Sequence, residues 1–596
     1  MITIQALRNT PTATIFIGSH PAIIQSILDF DFLGGKISPT VKGIIGSRKK
    51  FERYFFGKKE ILLPVFPTVG HIPHALASEI TYFFNTTSGR RVLQSSLTSI
   101  AALPHLVGGA IFAEDVPEQH ALALIDEMAK KDLFLIGPAS VGLLIPKTIK
   151  LGAIGGVDNR QLIDSKVFTA GDVAVFSSSG GMTNELMRIV AQSGHHLSFA
   201  LSFGGDRFPI LSPREAFLAA ENDAQTKRIV YFGELGGVDE YELIQLLEEK
   251  KITKPIICYI GGVVAELFET PPQFGHAKAM AKSDLETARA KRQALSRAGV
   301  QVGESFSDFV QAIKNVPVLN KIEDRDYTIL MNDMRDRKHA LITTSLSYDQ
   351  EGEVKILGQD LLEFTSSRSF AGIVSSMFLG KPTISQELEE FVDTVLRLLV
   401  DHGPYVSGAV NTIVTARAGR DLVSALSAGL LTIGPRFGGA INQAASNWIK
   451  GVESGATAHD FVEEFAQRKE YISGIGHRKY RSDFPDPRVK TLFKSLNTLS
   501  QKRFSTFAQS VEAITVAKKG NLILNVDGVI AAALLDILSE KEGISDEGLK
   551  KLAETEFFNG LFVLSRSVGL ISHFIDQKRL DEGLLRLDED MVSHIE

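Results

Sequence analysis

Between residues 173 and 262 the chain repeats one device four times: a short β-rich run that ends in a glycine-rich turn. Residues 173–176 lead into Ser177-Ser178-Ser179-Gly180-Gly181, and 198–203 into Gly204-Gly205-Asp206-Arg207. Residues 228–233 lead into Glu234-Leu235-Gly236-Gly237, and 255–260 into Gly261-Gly262. Amphipathic segments at 182–192 and 239–249 lie between the runs. Strand–helix–strand alternation predicts parallel sheets, and in such sheets ligands bind at the carboxyl ends of the strands, where all four turns emerge. Similar runs at 14–17, 43–45 and 133–136 extend the pattern to the amino-terminal part.

The expected organisation is two α/β units in series, 1–155 and 156–318, the first ending in the glycine-rich stretch 151–156. A charged segment at 319–338 reads as a linker. Residues 339–596 read as mainly helical, with apolar helix spacing at 388–400, 422–431, 459–465 and 530–538. At 596 residues and 44% apolar content the chain has material for several cores. A net charge of −6 argues against a strongly basic nucleic-acid binder. The single cysteine, Cys258, excludes an intramolecular disulfide framework and any multi-cysteine metal site, so no metal is expected. Pro11 and Pro21 interrupt the early apolar stretch, which argues against a secretory signal. The longest apolar run, 522–538, carries Asn525, Asp527 and Asp536 and reads as a buried helix, not a membrane span. A soluble, cytoplasmic protein is expected, with no nucleic acid and no membrane as partners.

Two constellations carry chemistry. In the first, His276 stands between small residues in Gln273-Phe274-Gly275-His276-Ala277. A histidine nitrogen can act as nucleophile or acid–base group near neutral pH. Ser179-Gly180-Gly181 opens a helix and suits an anion. Glu234, at a strand end, is placed to bond the ring. The plainer readings are a surface histidine, a tight turn and a solvated carboxylate. In the second constellation, polar residues interrupt apolar helical segments: His402, His477, Arg488, Asp527 and Arg566. A carboxylate in an apolar run needs a partner or a function; a helix N-cap is the plainer reading of Asp527. An aspartate can exchange a proton with the α-carbon of an acetyl thioester, histidines can polarise a hydroxyl or carbonyl, and arginines bind carboxylates in pairs of hydrogen bonds.

The ordered set SSSGGMTNE, FGGDRFP, GELGGVDEY and QFGHAKA resembles the α-subunits of succinyl-CoA synthetases and, more closely, ATP-citrate lyases. VDHGPYVSGAVNT, GLLTIGPRFGGA, GIGHRKY, NLILNVDG and FVLSRSVGLISHFIDQKR resemble the citrate synthase-like domain of the same lyases. The resemblance implies a CoA-binding Rossmann-like domain, a flavodoxin-like CoA-ligase domain and a citrate synthase-like domain. It implies that His276 is phosphorylated, that Ser179, Gly180 and Gly181 cradle its phosphate, and that Glu234 supports the ring. Glu114, in Ala113-Glu114-Asp115-Val116-Pro117, would handle the histidine at a second position, with Asp115 where the family has glycine. For CoA it implies contacts by Ser96 and Lys518, although Thr98 replaces a usual arginine and Ile17-Gly18-Ser19-His20 lacks the fuller glycine pattern. Asp527 would be the catalytic acid/base, and His402 and His477 would handle the oxygen at the cleaved carbon. Arg478, Arg488, Arg566 and Arg586 would clamp carboxylates, the last from a neighbouring subunit. Phe437 stands where citrate synthases carry a histidine, which follows the lyase pattern.

The implied reaction converts citrate, CoA and ATP into acetyl-CoA, oxaloacetate, ADP and phosphate, through phosphohistidine, citryl-phosphate and citryl-CoA. No ATP-grasp domain precedes the first unit, so a separate ATP-grasp subunit of the succinyl-CoA synthetase β type is expected to hold ATP and Mg²⁺. The helical half is expected to pair with itself in a homo-oligomeric, tetrameric core. The alternatives are another acid–CoA ligase whose helical domain acts on a different acyl-CoA, a non-catalytic assembly subunit, and a synthase running toward citrate. Asp527 with the arginine set, the retention of both His276 and Asp527, and the Phe437 loop argue against them in turn.

Overall fold

The computed structural model describes residues 3–46, 49–268, 276, 279–318, 325–350, 352–434 and 439–595. The chain forms two compact units, Met1–Leu341 and Ile342–Glu596.

The first unit holds two seven-stranded sheets. One runs in the order Phe51–Phe56, Lys59–Phe66, Val41–Ile45, Thr14–Ile17, Tyr82–Asn85, Gly108–Ile111, Phe134–Ile136. Thr14–Ile17 pairs in parallel with strands on both sides and is buried at every position, as expected of a strand covered on both faces. The chain departs from it in opposite directions, so the turn after Ile17 and the turn after Asn85 flank a crevice at the carboxyl edge.

The other sheet runs Gln301–Val302, Ile256–Gly261, Arg228–Glu234, Val173–Ser177, Leu197–Ser202, Leu143–Ile145, Ile149–Leu151. The last two strands lie inside the unit expected to end at 155. They form an antiparallel hairpin on Leu197–Ser202, so the change from one sheet to the next comes before residue 143. Nothing local in the apolar run LLIPKTIKL shows which sheet it extends; only the long-range pairing does. With Phe51–Phe56 antiparallel at the edge of the first, both sheets are mixed, not purely parallel.

The expected linker is also built into the fold. Residues 319–324 lie outside the described residues, but Thr328–Arg335 is a helix whose Met334 is 5% exposed. Tyr327 packs on Phe168 with ring centroids 5.1 Å apart. Arg337 bonds Asp29 at 2.5 Å and the Gly57 carbonyl at 2.9 Å. One of the charges that suggested a solvated tether, Arg337, is thus held by elements of the first sheet.

The second unit packs around Val526–Glu540, buried from Gly528 through Leu538. Ala440–Glu453, Arg503–Lys518, Pro487–Lys494 and Gln386–Leu398 surround it. Each fully buried Leu or Ile there contributes about 1.5–3 kcal/mol. The helix starts where Asn525 accepts a hydrogen bond from the Gly528 N–H at 3.0 Å. An all-helical reading missed a small antiparallel sheet, Ser347–Gln350, Glu353–Ile356 and Gln359–Asp360, whose short polar strands carry little apolar alternation. Among the described residues one helix, Phe557–Leu580, is long and apolar enough to cross a membrane; its first half buries Phe557, Phe558, Leu561 and Phe562 in this core.

Candidate active sites

In the first unit three neighbouring strands bring their turns to one edge. Val173–Ser177 lies between Leu197–Ser202 and Arg228–Glu234, and Glu234 ends the last of these. His276 Nδ1 lies 3.0 and 2.9 Å from the two Glu234 carboxylate oxygens. The ring rests on bare backbone: a Cβ on Gly205 would stand 2.4 Å from His276 Cδ2. The hydrogen bond to Glu234 holds the imidazole above the usual histidine range; Glu114 and Asp206 add to this, and partial burial opposes it. In the neutral ring Glu234 accepts from Nδ1–H, which leaves the Nε2 lone pair free and, with the ring one-third exposed, reachable.

Ser179 caps the helix Gly180–Gln192, its Oγ accepting from the Met182 N–H at 3.4 Å. A side chain at Gly180 would strike Val141, whereas Gly181 faces open space. This bare helix start sits at the end of the central strand, between the turns that hold His276 and Glu234. Glu114 reaches the site through its own turn. Asp206 Oδ2 accepts from the Val116 N–H at 3.3 Å, and the Ala139 N–H donates to the Ala113 carbonyl at 2.8 Å. Burial raises the Asp206 carboxyl, and Asp115 and Glu114 push it further up. Asp206 was not singled out from the sequence, although it closes one of the four glycine-rich turns.

In the second unit a main-chain ladder builds the site. The Asn525 N–H donates to the Gly474 carbonyl at 3.0 Å, the Gly476 N–H to Ile523 at 2.7 Å, and the His477 N–H to Asn521 at 3.0 Å. A Cβ on Gly474, where φ is +95°, would lie 2.8 Å from Gly528 Cα. The His477 turn therefore lies against the start of the Asp527 helix. Asn525, not Asp527, caps that helix, and among the described residues Asp527 has no hydrogen-bond partner. Burial pushes the Asp527 carboxyl up to about 6 against the opposing pull of Arg488 and Arg566.

His477 Nδ1 accepts from the Lys479 and Tyr480 N–H groups at 3.0 and 2.9 Å. The neutral ring is thereby fixed with its hydrogen on Nε2. Burial lowers both His477 and His402, and Arg488 reinforces the shift in each. Arg488 grips Asp486 through Nε and Nη2, the latter at 2.8 Å, and its Nη1 lies 3.5 Å from His402 Nδ1. Arg566 is 3% exposed and donates from Nε to the Leu399 carbonyl at 3.0 Å. Asp401 pairs with His573 Nε2 at 3.0 Å. His573 was not singled out, yet it lies seven residues after Arg566, on the same face of one helix.

The structure gathers His402, His477, Arg488, Asp527 and Arg566, and separately His276, Glu234 and Glu114. Four expected contacts find other surroundings. Ser96 is fully buried, with Oγ accepting from Asn85 at 3.0 Å, so its hydroxyl braces the turn after Asn85. Lys518 is paired with Glu463 at 2.6 Å. Arg478 and Arg586 are exposed and are not among the charges that act on Asp527. Phe437 and Gly275 lie outside the described residues.

The family model "CoA-ligase" matches residues 176–301, and "Citrate synthase, C-terminal domain" matches residues 316–587. "Probable ATP-citrate synthase subunit 1" of Neurospora crassa is 37% identical over 610 residues, covering 99% of this chain and 90% of that protein. The chain belongs to the ATP-citrate synthase family. A second member, "Probable ATP-citrate synthase" of Caenorhabditis elegans, is also 37% identical and covers 98% of this chain, which spans 54% of that protein. Among solved structures, a point mutant of the ATP citrate lyase of Methanosaeta concilii, in complex with (3S)-citryl-CoA, aligns with a TM-score of 0.51. It is 34% identical, over 98% of this chain and 97% of that one. In this chain a CoA-ligase region thus precedes a citrate synthase-like helical domain.

Proposed function

We propose that this chain is the ATP-citrate lyase subunit that forms and then cleaves citryl-CoA. The reading of the second site is carried by one observation: an Asp527 carboxyl with no hydrogen-bond partner among the described residues, pushed up to about 6 by burial against the pull of Arg488 and Arg566. His402 removes the proton from the citryl hydroxyl, and the Nε2–H of His477 donates a hydrogen bond to the same oxygen. The carbon–carbon bond then breaks, giving the carbonyl of oxaloacetate and the enolate of acetyl-CoA. Protonated Asp527 delivers its proton to the enolate carbon. Arg488 and Arg566 hold carboxylates of the oxaloacetate half, with Arg478 and Arg586 joining from the exposed rim.

In the first unit His276 Nε2 takes the phosphoryl group, and the bare start of the helix at Ser179–Gly181 receives its oxygens. The phosphoryl group passes to citrate. The CoA thiol then displaces phosphate from citryl-phosphate to give citryl-CoA. A cleft of about 800 Å³ at the carboxyl edge of the first sheet, lined by Ser19, Lys49, Lys50 and Arg53, suits the phosphates of CoA. ATP and Mg²⁺ belong on an ATP-grasp partner; the "subunit 1" in the N. crassa name supports a second subunit. Self-association of the helical half into a tetrameric core is supported by exposed Val423, Leu431, Val568 and Ile575. The test is oxaloacetate release from citryl-CoA by the purified chain, with Asp527→Ala as control. Activity lost in the control is the expected result; a folded, inactive wild-type chain would count against the second-site reading.

A further inference from the structure

Beneath the Glu234 turn lies a buried charge cluster that the steps above do not use. Lys291, on the helix Ala288–Arg297, is 1% exposed. Its ammonium donates to the Glu234 carbonyl at 2.9 Å and to the Gly236 carbonyl at 2.7 Å, and pairs with Glu240 Oε2 at 2.6 Å. Tyr231 donates its hydroxyl hydrogen to Glu240 Oε1 at 2.9 Å. A Cβ on Gly233 would lie 2.6 Å from Glu240 Oε1, so the carboxylate is packed directly under the turn.

The geometry points to Lys291 as a positioning residue for the His276–Glu234 pair. Its two carbonyl contacts grip the turn at Glu234 itself and two residues on, where Gly236 and Gly237 both have positive φ and offer little stiffness of their own. The helix carrying Lys291 follows His276 in the chain, and its approach is fixed from the same side: the Gly236 N–H donates to Glu286, and Tyr241 donates its hydroxyl hydrogen to the Leu285 carbonyl at 2.8 Å. One ammonium thus ties the main chain at Glu234, whose carboxylate orients the ring, to the segment leading away from the ring. Burying an ion pair is weak as a source of stability, since an apolar replacement is often neutral. A misplacement of about 1 Å at a reacting group, by contrast, costs on the order of 10²-fold in rate. Ala288, Lys291 and Leu295 share the buried face of this helix, while Arg289 and Arg297 are exposed.

This inference rests on His276 as the phosphoryl carrier, but its main readout is the ring's own titration. Diethyl pyrocarbonate attacks only the neutral imidazole, so its rate at His276 against pH, followed by peptide mass spectrometry on the full chain, gives the titration midpoint. Glu234→Gln is expected to move the midpoint down toward an ordinary histidine. The double variant Lys291→Met/Glu240→Gln, which leaves no orphan charge, is expected to do the same, whereas Glu240→Gln alone is expected to keep the wild-type midpoint. With the ATP-grasp partner the double variant is expected to lose ATP-dependent acetyl-CoA formation by on the order of 10²-fold. His195 and His196, each 4% exposed, gauge the fold in the same spectra. A double variant that titrates like wild type overturns the inference. So does Glu240→Gln shifting as far as the double, or a shift accompanied by loss of His195 and His196 protection. If Glu234→Gln itself leaves the midpoint unmoved, the pairing fails and the inference with it.

Discussion

Replacing Asp527 by Asn should make the helical half more stable and catalytically dead at once. The carboxyl has its pKa pushed from 3.8 to about 6 by burial. The folded state therefore binds the proton more tightly than the unfolded state between those values. Stability falls as pH rises through that window, and the loss is complete once pH exceeds the folded-state value. A shift of about 2.2 units at about 1.36 kcal/mol each gives a penalty of about 3 kcal/mol at about pH 7.5. At about pH 5 the same two values leave about half of it, and below about pH 3 almost none. Asparagine keeps the shape and cannot ionise, so it removes the penalty. For a unit of this size about 1 kcal/mol moves Tm by about 2–4 °C, so Asp527→Asn should melt up to about 6–12 °C higher at about pH 7.5. The assay is calorimetric melting of both forms at the two pH values, alongside oxaloacetate release from citryl-CoA. A gain in Tm that is the same at both pH values, or absent, would refute the view that a desolvated carboxyl is held there at a cost. In the active form the protonated acid is the competent species for cleavage, so kcat/KM should decline as pH rises through about 6.

Other outcomes follow from single contacts. His477→Ala removes the donor fixed on Nε2 and should lower citryl-CoA cleavage by about 10²–10⁴-fold, with Tm little changed. Glu234→Gln should abolish most ATP-dependent turnover with the partner while leaving cleavage of added citryl-CoA at the wild-type rate, a split read by running both assays on one preparation. Asp486→Ala strips the partner from Arg488 and should cost about 3–5 kcal/mol in denaturant titration, because one member of a largely buried pair is left alone. Gly474→Ala, with φ at +95° and a Cβ 2.8 Å from Gly528 Cα, should reduce cleavage more than removal of the exposed Arg478 does.

The runs at 14–17, 173–176 and 228–233 became strands within a residue or so, because each has an apolar, buried centre, and the first two are buried at every position. The helix beginning at Val526 was legible for the same reason, although its start lay four residues before the apolar spacing at 530. The membership of Leu143–Ile145 was not legible: a hairpin of apolar residues fits either sheet, and the decision is made by a partner more than fifty residues away. Charge misled at 319–338, where Arg337 and Met334 are tied down by Asp29 and by apolar neighbours remote in sequence. At the sites, His276, Glu234, Asp527 and the histidines stood out because each is a polar residue in a small or apolar setting. Lys291, Asp206 and His573 did not, since they act through neighbours that only folding supplies. Ser96 shows the converse: a promising hydroxyl that the helix Gly89–Ala102 turns inward.

The ladder between residues 474–477 and 521–525 has a consequence for how this catalyst can diversify. The separation of His477 from Asp527 is set by backbone atoms and by two glycines in contact, so it does not depend on which side chains surround them. Side chains beside the histidines, such as Tyr405, whose ring centre lies 6.4 Å from that of His402, or Tyr480, 4.7 Å from His477, can be exchanged without disturbing the proposed catalytic pair. Substrate range and bond chemistry are in this sense inherited separately: the first is written in side chains, the second in the course of the main chain.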